Sequence, residues 1–95
     1  MFMSNYRNNM KIIADLLHAA DQSGHTGIKI TSLLTKANLS HSRLGKFINN
    51  LTAAGMITKI VDDKRNTFVI TSRGKEYLKS YDDFSHITES FGLEL

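Results

Sequence analysis

Ninety-five residues with 41% hydrophobic content suit one domain with a single modest core, which leaves no room for a second folded unit. The chain has no cysteine, and this excludes a disulfide framework, a thiol nucleophile and a cysteine-bound zinc. Its net charge of +3 conceals a strong asymmetry. Between Gly24 and Lys79 ten Lys and Arg residues face three acids, whereas from Ser80 onward there are four acids and no Lys or Arg. A cationic middle of this kind is the footprint of a polyanion partner, although moderately basic surfaces also serve solubility. No apolar run near the start is long enough for a signal peptide or a membrane span, so no membrane partner is expected.

The first predicted helix covers residues 4–23. Tyr6, Met10, Ile13 and Leu17 share one face, Ile12, Leu16 and Ala20 widen it, and Gly24 is the expected stop. So broad an apolar band marks a core wall. Arg7, Lys11 and His18 fall on the other side, where solvation is the simpler account. Next, Ile28-Lys29-Ile30 reads as a short strand, and Thr31 as the cap of a second helix over residues 32–37 with Leu33 and Leu34 facing inward.

Only Asn38-Leu39-Ser40 separates that helix from a third, the connection length of a helix-turn-helix. Residues 39–55, L-S-H-S-R-L-G-K-F-I-N-N-L-T-A-A-G, are the most informative stretch of the chain. Ser40 is suited to the N-cap, and Gly55 to the left-handed residue that ends a helix. Leu44, Phe47, Ile48 and Leu51 form one apolar stripe. Ser42, Lys46 and Asn49 project from the opposite face with Arg43 and Asn50 beside them, and no acid joins them. Arg and Lys read guanine edges or phosphate and Asn reads adenine, which is the chemistry of a recognition helix. The bland alternative is a solvated helix face. Gly45 costs such a helix about 1 kcal/mol relative to alanine; close approach of the second helix or of the DNA would justify it, and packing against the second helix is the expected reason.

Residues 56–61 and 67–70 are β-prone runs, read as a hairpin whose tip is Asp62-Asp63-Lys64-Arg65-Asn66. Thr71 then caps a last helix that Gly92 ends. Along it Tyr77, Tyr81, Phe84, Thr88 and Phe91 are spaced by four, three, four and three residues, a heptad-like seam flanked by Leu78 and Ile87. Its second half leaves Phe84, Ile87 and Phe91 bare unless another copy of the chain covers them or the helix folds back on the first.

Helix, strand, helix, turn, helix, hairpin is the order of a winged helix-turn-helix. The expected class is therefore α+β, mainly α, with a long C-terminal helix that forms an antiparallel dimer. The winged DNA-binding domain is placed at residues 1–79 and the continuous dimerisation helix at 72–92. Ala37-Asn38-Leu39-Ser40, Gly45-Lys46-Phe47-Ile48, residues 51–57 and the opening of the last helix at 71–78 carry a resemblance over nearly the whole chain. The chain resembles the small archaeal winged-helix proteins of the basic "10a" class, chromatin-type DNA-binding proteins and related regulators. The resemblance implies a homodimer joined by an antiparallel coiled coil, with a winged domain at each end bound to duplex DNA in the cytoplasm, associated with the nucleoid. Two features depart from it: the last helix is shorter and ends in an acidic stretch, and the wing tip carries Asp62 and Asp63.

The candidate DNA-binding residues are Ser40, Ser42, Arg43, Lys46, Asn49 and Asn50 of the third helix, with Lys64 and Arg65 of the wing. Dimer-interface candidates are Tyr77, Tyr81, Phe84, Ile87, Thr88 and Phe91. A second function class stays open, a winged helix that binds protein within a transcription or replication assembly. A ligand-sensing regulator would need its pocket at the dimer interface, and RNA binding is not expected because the chain shows no aromatic stacking platform. No enzyme, cofactor or metal is expected: His18, His25, His41 and His86 are scattered, and no phosphate-binding Gly-rich loop occurs.

Overall fold

The computed structural model describes residues 9–62 and 65–93. Its elements are α1 (Asn9–Gln22), a 3-10 turn (Gly24–Thr26), β1 (Ile28–Lys29), α2 (Ile30–Ala37), α3 (His41–Ala53), β2 (Ile57–Asp62), β3 (Arg65–Ile70) and α4 (Ser72–Ser90). The strands form an antiparallel sheet in the order β1-β3-β2, with Ile28 opposite Phe68 and Ile57 opposite Ile70. This is the predicted mainly helical architecture with a β-wing.

One core holds it together. Ile12, Leu17, Leu33 and Leu44 are sealed at its centre, and Ile28, Ile57, Phe68 and Ile70 close it from the sheet. The central strand β3, paired along both edges, buries Thr67, Phe68 and Ile70. The edge strand β2 buries only Ile57.

Local chemistry sets the boundaries of α3. The Arg43 amide donates to Ser40 Oγ at 3.2 Å, so the expected N-cap is in place. At the other end Met56 N–H donates to the Leu51 carbonyl and Gly55 N–H to the Thr52 carbonyl. Gly55 takes φ +76°, and together these make a Schellman stop. Thr71 caps α4 through Gly74 N–H at 3.1 Å, and its own hydroxyl donates to the Gly55 carbonyl at 2.6 Å. The end of α3 is thereby tied to the start of α4.

Four expectations need correction, and two concern residues 1–8 and 63–64. Thr31 is not the cap of α2: the helix begins at Ile30 directly off β1, with Lys29 at the cap position and no side-chain cap bond. Met10 does not join the core but lies exposed at the start of α1. The wing has no five-residue tip, because the ladder continues until Asp62 stands opposite Arg65, an opposite-charge pair that favours two more paired positions. Gly45 is not explained by packing, since a Cβ built there meets nothing within 4 Å. The predicted start of α1, with Tyr6 and Arg7, and Lys64 at the wing tip lie outside the described residues.

Candidate nucleic-acid interface

Among the residues described, α3 presents Ser42, Arg43, Lys46, Asn49 and Asn50 exposed, while Leu44, Ile48 and Leu51 hold its other face in the core. The burial of those three residues is what aims the polar face outward. The Arg43 guanidinium sits over the Phe47 ring, 6.0 Å from its centroid, so the half-buried phenylalanine steadies a cation at the surface. Arg43, Lys46, Phe47 and Asn50 line one shallow depression together with Asn9 from α1. No carboxylate among the described residues pairs with Arg43 or Lys46. Both cations therefore keep their full charge for a partner. Ser40 has a different role from the rest, since its hydroxyl is occupied at the N-cap.

The wing contributes less than expected within the described residues. Arg65 is exposed at the start of β3. Lys59, which the sequence reading did not select, is the better placed cation. It stands opposite Phe68 and lines a groove between α3 and the sheet with Ile30, Gly45 and Asn49. Strand alternation from the inward Ile57 was the available signal, since residues two apart share a face. A further depression on α2, lined by Thr31, Ser32, Thr35 and Lys36, also escaped the sequence reading.

The six dimer candidates divide. Tyr81 is buried in the chain's own core and Tyr77 packs half-buried against it. Burial, reinforced by the neighbouring Tyr81, raises the Tyr77 phenol above its ordinary 10.0. Ionisation at alkaline pH is then easier in the unfolded chain, so this contribution to stability is present below pH 10.0 and lost above it. Phe84, Ile87 and Phe91 are exposed farther along α4, with Thr88 half-buried beside them. His18 Nε2 of α1 lies 3.3 Å from Asp82 Oδ1 of α4, where the first half of the helix is docked. No group of three or more potential metal-ligating side chains occurs among the described residues, and no helix there is long and apolar enough to cross a membrane.

The profile of the winged helix-turn-helix family matches residues 6–89, nearly the whole chain. The chain belongs to the winged helix-turn-helix family. Its fold is similar to the crystal structure of Sso10a-2, a DNA-binding protein from Sulfolobus solfataricus, with a TM-score of 0.74 at 22% identity. That likeness covers 90% of this chain and 85% of the other. No curated protein matches the sequence significantly. In this winged helix α3 occupies the recognition position and the β2–β3 hairpin is the wing.

Proposed function

We propose that this winged helix binds duplex DNA as a homodimer, acting as a transcription regulator or a chromatin-architectural protein. The observation that carries the proposal is the outward face of α3, where Arg43 and Lys46 stand exposed among Ser42, Asn49 and Asn50 with no acid among them. Inserted into the major groove, Lys46, Asn49 and Ser42 reach base edges, while Arg43 and Asn50 serve bases or phosphate. The helix dipole favours a phosphate near the Ser40 end, and Arg65 with Lys64 grips the adjacent backbone. The DNA-binding role of the structurally similar Sso10a-2 agrees with this reading. A fluorescence-polarisation titration of a labelled random duplex tests it. Micromolar or tighter binding at low salt is expected, and no binding would overturn it.

Dimerisation rests on the second half of α4 and the residues just after it. Phe84, Ile87, Phe91 and Leu93 are 47%, 56%, 77% and 60% exposed, an amount of bare aromatic and aliphatic surface that association would cover. A second copy of the same helix supplies the same seam in return, as a two-fold interface requires. Phe84→Glu is expected to convert the dimer to a monomer in sedimentation equilibrium. An unchanged mass would remove this interface.

A second reading is favoured by the outer strand of the wing. Val61 is 72% exposed and Ile60 is also exposed, next to the acid Asp62, so β2 has the make-up of an edge for a protein partner. On that reading the duplex titration is flat at moderate salt.

A further inference from the structure

The groove between α3 and the wing has a feature that folding alone does not explain. Gly45 stands in the middle of α3, where glycine weakens a helix relative to alanine. Its φ is not positive, so no backbone conformation demands glycine there. Nor does a neighbour, because an added Cβ would enter open space. Gly74 makes the contrast: a Cβ there would strike the Met56 carbonyl and the Ile70 side chain. Of these two helical glycines, one is required by the protein's own packing. The other keeps space clear outside it.

The cleared space has a defined lining. Gly45 and Asn49 line it from α3 together with Ile48, Thr52 and Ala53, and Lys59 and Phe68 from the sheet; with Ile30 they enclose a groove of about 490 Å³ whose lining includes no acid. Along α3, Gly45 is three residues after Ser42 and four before Asn49, so it lies between two residues proposed to reach base edges. We infer that this groove seats one sugar–phosphate strand of the bound duplex, with Gly45 admitting its close approach and Lys59 neutralising a phosphate.

The inference rests on the proposed DNA binding and adds the strand's path to it. A helix seated in the major groove and a wing that grips the adjacent backbone bring that backbone between them. The Lys59 ammonium suits a phosphate and the Asn49 amide can donate to phosphate or base. Exposed Ile30 offers apolar surface to the C–H faces of deoxyribose.

Gly45→Ala, the bulkier Gly45→Met and Lys59→Gln test the assignment on the full chain, with thermal melting beside duplex titrations over a salt series. Alanine and methionine both favour helix over glycine, so the Tm is expected to rise, by about 4–8 °C for alanine. Duplex affinity is expected to fall about tenfold for Gly45→Ala and about a hundredfold for Gly45→Met as side chains fill the strand's seat. Lys59→Gln is expected to lower the magnitude of the log–log salt slope by about 0.9 per bound protomer. Higher stability with weaker binding is a combination that a purely structural glycine does not give. Unchanged affinity in the Gly45 variants, a lowered Tm, or a salt slope untouched by Lys59→Gln would overturn the inference while leaving DNA binding intact. Failure of the unsubstituted chain to bind duplex at low salt would instead overturn the proposed function, and this inference with it.

Discussion

Replacing Arg43 and Lys46 together by alanine is expected to weaken duplex binding by about a hundredfold or more at fixed salt, with little change in thermal stability. Each well-placed contact from such a side chain to a base edge is worth about 1–3 kcal/mol, and two are removed together. Stability should hardly respond, for three reasons. Both side chains are exposed. Neither has a carboxylate partner among the described residues. Alanine is the strongest helix former, which offsets the loss of the exposed contact between Arg43 and Phe47, worth about 0.5–1 kcal/mol. A duplex titration and a thermal melt on the same sample separate the two effects. Equal affinity at low salt in the double variant would show that α3 is not the recognition element.

Gly74→Ala carries the largest expected effect on stability. Gly74 is buried in the first turn of α4, where the helix crosses the start of β2. A Cβ at this position runs into the Met56 carbonyl oxygen and comes within 2.7 Å of Ile70 Cγ1. The carbonyl cannot give way cheaply, because it accepts from Thr71 N–H at 3.0 Å in the junction that also caps α4. Ile70 is held in the core. Overpacking of this severity costs about 3 kcal/mol, which for a domain of this size lowers the Tm by about 12–24 °C. An unaltered melting curve would mean that α4 and the sheet do not meet as closely as described. The opposite signs expected for alanine at positions 45 and 74 make the pair a sensitive check on the fold.

What could be read from the sequence divides by the range of the interactions involved. Ser40 and Gly55 were legible because capping is decided within a few residues, and so was the inward stripe of Leu44, Ile48 and Leu51. Thr31 failed as a cap for a nonlocal reason: β1 pairs with β3 and delivers the chain to α2 two residues earlier. The charged segment at 62–66 looked like a loop, yet cross-strand pairing of Asp62 with Arg65 draws both into the ladder. On α4 the spacing of aromatics was visible but not its partner, since the same period serves the chain's own core or another helix. Tyr81 went to the core and Phe84 did not. The face of α3 was legible as chemistry, because those residue types recur on one side of a helix. The open space at Gly45 was not, because it acquires meaning only when the wing folds beside α3, and for Lys59 strand alternation gave the face but not its neighbours on α3.

The salt dependence of binding to random duplex DNA tests the central claim most directly, with the mass of the protein followed by sedimentation in the same buffers. If a dimer neutralises some six phosphates, the logarithm of the association constant should fall with the logarithm of salt concentration with a slope of about −5. Steep salt dependence in a dimeric species is the result expected of a basic α3 and wing laid along a polyanion. No binding even at low salt would contradict it and point to a protein partner instead.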